Sequence, residues 1–141
     1  MIKVVCAIIF EEQKVLVTQH GDHPRHPFKW ELPGGKMEKG ETPEIAILRE
    51  IKEELEIDIS VIEELQTVKY NYGFEEIELI PLICKITNGN INLVEHSNYD
   101  WLTFDKLFQL DLCEADKELI NKSANKEALL NYSRENLDEG C

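Results

Sequence analysis

The sequence predicts one α/β domain with a mixed sheet between helices. Three observations lead there. Short β-rich apolar runs and two helical segments follow one another as strands, helix, strands, helix. No internal repeat and no Pro/Gly/Ser-rich linker divides the chain. Its 141 residues, 43% hydrophobic, suffice for a single core despite heavy charge.

The elements follow in order. Val4 to Phe10 is an apolar, β-rich run, and Glu11-Glu12-Gln13 turns it into a second strand, Lys14 to Gln19. The polar stretch from His20 to Pro27 is a loop. Trp30 to Leu32 is a short strand stopped by Pro33-Gly34-Gly35. Thr42 caps a helix whose first position suits Pro43 and which runs to about Leu55. Ile57 to Leu65 is strand-like, and Thr67–Tyr72 with Glu76–Ile86 reads as a hairpin turned at Gly73. Pro81 inside that run suggests a bulge or an edge strand. Asn88-Gly89-Asn90 is a turn, and Asp100 to Thr103 is a brief strand. Glu114 to about Leu130 is the second helix. The expected domain is residues 1–131, with 132–141 a polar, frayed tail.

Charge narrows the function. With 28 acidic and 15 basic residues, the formal net charge is −13. Nonspecific nucleic-acid binding needs a basic face, so a nucleic-acid polymer is not the expected partner. Docking on anionic lipid is disfavoured for the same reason. An anion can approach only where cations stand between. No run nears the roughly 20 apolar residues of a membrane span. The apolar start is too short for a signal peptide and ends at Glu11-Glu12. The four cysteines, Cys6, Cys84, Cys113 and Cys141, contain no C-x-x-C pair, which fits a reducing cytoplasm.

The chemistry concentrates between Gly34 and Ile57. Glu50, Glu53 and Glu54 lie at i, i+3 and i+4, so a helix brings them to one face. Ile45, Leu48, Ile51 and Leu55 are expected on another face, against the sheet. Three carboxylates this close repel one another unless they are solvated, protonated or bridged by cations. On the helix alone, a solvated acidic face moderated by Arg49 and Lys52 competes with a metal site. The preceding loop tips that balance. Pro33-Gly34-Gly35 lets backbone approach a ligand closely and can offer a carbonyl oxygen, and Lys36 and Lys39 add positive charge. Oxygen ligands of this kind suit Mg²⁺, which also binds phosphate.

These residues resemble the Nudix box, G-x5-E-x7-R-E-U-x-E-E-x-G-U, where U is bulky and apolar. Gly35 opens it, Glu41 follows, and Arg49-Glu50-Ile51, Glu53-Glu54, Leu55 and Ile57 complete it. Glu56 stands where the family has glycine, so a somewhat altered helix end is expected. The resemblance implies an α/β/α sandwich that hydrolyses a nucleoside diphosphate linked to another group, using Mg²⁺ or Mn²⁺. It implies metal binding by Glu53 and Glu54, joined by Glu50 and the Gly34 carbonyl. Arg49 would orient a catalytic carboxylate, and Glu41 would support the loop–helix geometry. Glu50 is the first choice of base. Glu95, a loop acid six residues before Trp101, is the second choice and a further metal ligand.

The W-E-L-P-G-G-K motif and the Y-D-W-L segment resemble the MutT-type branch, which cleaves nucleoside triphosphates to a monophosphate and pyrophosphate. Asp116 is the candidate base reader, against the alternative of compensating a helix N-terminus. An ionised aspartate accepts from the cytosine amino group, which narrowly favours CTP or a modified dCTP over 8-oxo-dGTP; a protonated one reads differently. His20 and Lys36 are candidate contacts for the phosphate tail. His23, Arg25, His26 and Lys29 complete a basic loop that is either part of that contact or merely exposed. Tyr70, Tyr72 and Phe74 can stack on a base or simply pack, and Trp101 is expected in the core. Two other functions compete. ADP-ribose or nucleotide-sugar hydrolysis would resemble members with proline where Tyr72 stands. A binding module without catalysis would be expected to lack box carboxylates. The chain is expected to act on a small-molecule nucleotide, as a monomer or homodimer.

Overall fold

A computed structural model describes residues 1–139, with side chains described through residue 132. Cys141 lies outside the described residues. The elements are β1 (Ile2–Glu11), β2 (Lys14–Gln19), β3 (Trp30–Glu31), β4 (Gly34–Lys36), α1 (Pro43–Leu55), β5 (Asp58–Glu64), β6 (Val68–Asn71), β7 (Glu76–Asn88), β8 (Asn98–Thr103), α2 (Phe104–Leu107), α3 (Glu114–Asn121) and α4 (Ser123–Glu139).

The mixed sheet is built around β1. Ile2 to Ile9 pairs in parallel with Ile77 to Cys84 of β7. The other edge of β1 is shared: its first half meets β4, with Cys6 opposite Gly34, and its end meets β2. Strand β2 pairs in turn with β3 and β8. Strand β1 is buried on both faces, and its side chains alternate between two cores. Cys6, Ile8 and Phe10 join Leu32, Leu112, Leu119 and Ile120 on the α3–α4 side. Val5, Ala7 and Ile9 join Ala46, Ile47, Ile51 and Leu55 on the α1 side. This is the α/β/α sandwich. Among the described residues no helix is long and apolar enough to cross a membrane.

Several expectations change. Pro81 is neither in an edge strand nor at a bulge in its own strand, because β7 lies between β1 and β5. Its carbonyl accepts from Leu65 N–H (2.9 Å), so its missing donor faces the junction where β6 gives way to β5. The register shifts lie in the neighbouring β5, at Asp58/Ile59 and at Val61/Glu63, the second opposite Ile83 and Cys84. Gly34 and Gly35 form strand β4 rather than a loop. The expected second helix is two helices, broken at Lys122, whose ψ of 124° is extended. Helix α4 continues through Glu139, and residues 140–141 of the expected tail lie outside the described residues. Helix α1 buries Ala46 and Ile47, while Ile45 is 54% exposed and Leu48 38%. Ile51 and Leu55 are buried as expected, but Ala46 and Ile47 take the sheet-facing places expected of Ile45 and Leu48. Trp101 is half-buried against the α1-side core.

Candidate active site

Helix α1 begins as its sequence dictates. The Thr42 hydroxyl accepts from Ile45 N–H (3.2 Å), and Pro43 occupies the first turn. It ends at Glu56, which adopts φ 57°, ψ 33° and donates its N–H to the Lys52 carbonyl. The helix end is thus not altered as the sequence suggested. A glutamate takes the left-handed conformation that glycine would take without strain. The loop after β7 then closes over the helix terminus. Asn92 N–H donates to Leu55 O (2.9 Å) and Val94 N–H to Glu54 O (3.1 Å), which delivers Glu95 beside Glu54.

The three box carboxylates face different surroundings. The Glu53 side chain is 59% exposed and that of Glu50 only 12%. Glu54 points into the cleft, where its Oε2 is buried without a hydrogen-bond partner. Burial, reinforced by the negative charges of Glu31, Glu50 and Glu95, pushes the Glu54 carboxyl up to about 9. Gly35 has a steric reason: a Cβ there would strike the Glu50 carboxylate. At Gly34 a Cβ would strike the Val5 carbonyl in β1. Both glycines serve close approach, not a left-handed backbone, since positive φ among glycines occurs at Gly40, Gly73 and Gly89.

Arg49 joins the loop to the helix. Its fork donates to both oxygens of Glu41 (2.7 and 2.8 Å), to Glu50 Oε1 (2.9 Å), to Glu53 Oε2 (3.2 Å) and to the Lys36 carbonyl (3.1 Å). Glu41 also accepts from Glu38 N–H (2.7 Å). These bonds hold the Glu41 carboxyl down at about 2, the guanidinium being the main cause. Arg49 reaches Glu41, Glu50 and Glu53; Glu54 is not among its partners.

The opposite wall is built on Glu31, which the sequence reading passed over. His20 Nε2 lies 3.0 Å from one Glu31 oxygen and His96 Nε2 lies 2.7 Å from the other. Burial alone would raise the Glu31 carboxyl, but these two hydrogen bonds outweigh it and hold the group below the usual range. His20 is raised in return, chiefly by its bond to Glu31. Asp116 is buried beside them and accepts from Leu32 N–H (3.1 Å) through Oδ2. Burial, then the charge of Glu31, raises the Asp116 carboxyl well above the usual range. The only sequence signal for Glu31 was an acid between Trp30 and Leu32 in a strand. His96 offered none beyond adjacency to Glu95.

The two walls enclose a cleft of about 670 Å³ lined by His20, Gly34, Lys36, Glu54, Glu95 and Asp116 among others. Six sequence-predicted residues therefore converge. Glu50, Glu53 and Arg49 are not in its lining; they stand behind Gly35 and along the outer side of α1. His20 and Lys36 line it already paired, Lys36 Nζ being 3.1 Å from Glu75. A phosphate tail would have to replace those partners. Tyr72, Phe74 and His26 form an aromatic edge, with Tyr72 and Phe74 stacked at 5.6 Å and His26 edge-on to Tyr72 at 5.1 Å. The Tyr72 hydroxyl accepts from Ala115 N–H (2.9 Å), tying that edge to α3.

The α1 wall fits a hard divalent cation. Its donors are oxygens, and a buried carboxyl oxygen lacks a partner there, which a cation would satisfy.

The NUDIX domain model matches residues 2–122. A CTP pyrophosphohydrolase of Escherichia coli (strain K12) is 31% identical over 120 residues, covering 85% of this chain and 89% of that protein. An 8-oxo-dGTP diphosphatase of Buchnera aphidicola subsp. Acyrthosiphon pisum (strain APS) is 29% identical over 124 residues, covering 88% of this chain and 98% of that protein. The solution structure of the E. coli ORF135 protein is similar with a TM-score of 0.78 at 30% identity, covering 94% of this chain and 92% of that one.

Proposed function

We propose, from the premise that this chain belongs to the Nudix family of hydrolases in its MutT-type branch, that it is a nucleoside triphosphate pyrophosphohydrolase. Its products are a nucleoside monophosphate and pyrophosphate, and its leading substrate is CTP or a modified dCTP. The observation that carries this reading is Glu54, a carboxyl facing a nucleotide-sized cleft whose buried Oε2 has no hydrogen-bond partner.

Mg²⁺, or Mn²⁺ in its place, would be held by Glu50, Glu53, Glu54, Glu95 and the Gly34 carbonyl. Bound there, a divalent cation lowers the pKa of water and neutralises phosphate oxygens. Glu50 is the proposed base: Arg49 holds its Oε1, which fixes the carboxylate for taking a proton from the attacking water. Arg49 positions Glu50 and Glu53 against the loop carbonyl of Lys36. His20 and Lys36 are the proposed contacts for the phosphate tail. Three buried free cysteines, Cys6, Cys84 and Cys113, suit a reducing cytoplasm as the working compartment.

Asp116 is the proposed base reader. Its Oδ2 is fixed by Leu32 N–H, leaving Oδ1 for a ligand. Ionised, Oδ1 accepts from the cytosine amino group. A second reading is favoured by the raised Asp116 carboxyl: neutral, it donates, which suits a guanine oxygen and hence 8-oxo-dGTP. The test is a Mg²⁺-supported assay over CTP, 5-substituted dCTP, 8-oxo-dGTP and ADP-ribose that resolves pyrophosphate from orthophosphate. Pyrophosphate from the cytidine nucleotides is expected, with Asp116→Asn shifting preference away from cytosine. Turnover of ADP-ribose alone, or tight nucleotide binding without turnover, would sink the proposal.

A further inference from the structure

We propose that His20, Glu31 and Cys113 form a second cation site in the cleft, suited to a borderline-soft divalent ion such as Zn²⁺. One donor atom from each lies within 4.8 Å of the others. Donors around a tetrahedral zinc ion stand roughly 3.3–3.8 Å apart, given bonds of about 2.0–2.3 Å. The 3.0 Å between His20 Nε2 and Glu31 Oε2 is already near that spacing. Side-chain rotation can close the remainder.

Three elements hold the donors in place. His20 follows β2, and its N–H donates to the Lys29 carbonyl (2.9 Å). Trp30 N–H donates to Asp111 O and Cys113 N–H to Trp30 O, both at 2.9 Å. These two bonds clamp the start of α3 onto β3, which sets Cys113 beside Glu31. Loop residue His96 supports Glu31 from behind through the other carboxylate oxygen (2.7 Å), the kind of outer hydrogen bond that fixes a ligating carboxylate. The His96 side chain is 4% exposed, and its Nδ1 is buried without a partner. All four histidines of the chain gather here, with His20 ring centroids 5.1 Å from His23, 5.8 Å from His26 and 5.6 Å from His96.

The donor chemistry separates this site from the α1 wall. Nitrogen, oxygen and sulfur together favour zinc-like ions, whereas the α1 carboxylates suit Mg²⁺. Burial first, then Asp116 and Glu31, keeps Cys113 a thiol in the metal-free protein. Binding the ion therefore releases the thiol proton to solvent, frees His20 Nε2 of the proton it donates to Glu31, that proton moving to Nδ1 or to solvent, and forms the metal–thiolate and metal–imidazole bonds. Because His20, Glu31 and Cys113 all line the cleft, the ion's remaining coordination position would face the space that a nucleotide fills.

The experiment uses the full chain, reduced and stripped of metal, titrated with Co²⁺ as a spectroscopic stand-in and then with Zn²⁺. A thiolate-to-cobalt absorption band saturating at one ion per chain, and displaced by Zn²⁺, is expected. Cys113→Ser should abolish the band and weaken Zn²⁺ binding by at least roughly 10-fold. Cys6→Ser, Cys84→Ser, Cys141→Ser and Glu54→Gln should keep it. His20→Gln provides a second variant, expected to weaken Zn²⁺ binding with the fold intact by circular dichroism. A titration with no thiolate band, or a band that survives Cys113→Ser, overturns the site. No nucleotide enters the measurement, so its failure is separate from failure of the proposed hydrolysis.

Discussion

Glu31 and Glu54 are two glutamates of one cleft, both withdrawn from water, and their protons behave in opposite ways. Burial raises both. Glu31 is brought back below the ordinary range because His20 and His96 hydrogen-bond its two oxygens. Glu54 rises to about 9 because its electrostatic neighbours are Glu31, Glu50 and Glu95, all negative. Burial does not decide the charge of a carboxyl here; the partners that the fold supplies decide it. One wall answers its carboxylate with two histidine hydrogen bonds, one to each oxygen. The other lacks a cation at Glu54, even though Arg49 answers Glu41, Glu50 and Glu53 nearby.

The largest expected effect comes from removing the carboxyl that no cation answers. Glu54→Gln should lower kcat/KM by at least 100-fold, the lower end of what a positioned catalytic group contributes. Its stability should move the other way. A carboxyl raised from 4.5 to about 9 contributes stability fully below pH ~4.5 and loses that contribution as pH rises through about 9. The amide does not titrate. Metal-free Glu54→Gln should therefore gain in Tm relative to the parent as pH increases from 5 to 9. Equal pH slopes for the two proteins, measured in chelator, would remove the basis for treating the two walls as different.

Arg49→Lys tests the partner side of the comparison at a smaller scale. Lysine keeps the charge but cannot reproduce a planar fork that meets Glu41 twice while also reaching Glu50, Glu53 and the Lys36 carbonyl. A fall in kcat of about 10–100-fold is expected, with KM much less affected, as for loss of outer-layer support. A change confined to KM would show that Arg49 binds substrate rather than positioning carboxylates.

What the sequence revealed follows this division. The α1 wall was legible because helical spacing alone sets Glu50, Glu53 and Glu54 near one another. The histidine wall was not. His96 and Glu31 are 65 residues apart, and they meet only because β3 and β8 both pair with β2. The break at Lys122 was equally hidden, since neither proline nor glycine marks it. It is held by a tertiary contact: Asn125 accepts from Gln66 N–H (2.9 Å) and donates to the Gln66 and Leu119 carbonyls. The second half of the α1 stripe, Ile51 and Leu55, is legible, but its first half is not, because Ile45 and Ala46 are adjacent and hydrophobicity favours the exposed one.

The smallest expected effect isolates helix geometry from cleft chemistry. Glu56 ends α1 at φ 57°, where a side chain costs about 1 kcal/mol relative to glycine. Two terms reduce what Glu56→Gly can recover. The variant loses the exposed hydrogen bond from Asn92 Nδ2 to Glu56 Oε2 (3.2 Å), and glycine loses more backbone entropy on folding. A net stabilisation of about 0.5 kcal/mol is expected from urea midpoints. Glu56 is not in the cleft lining, and its backbone bond to Lys52 persists in glycine, so kcat/KM should stay unchanged. A destabilised Gly variant would mean that the Asn92 contact matters more than the strain, by anchoring the loop that carries Glu95. In that case activity should fall with stability, and the placement of Glu95 beside Glu54 would depend on a glutamate at the position where the box calls for glycine.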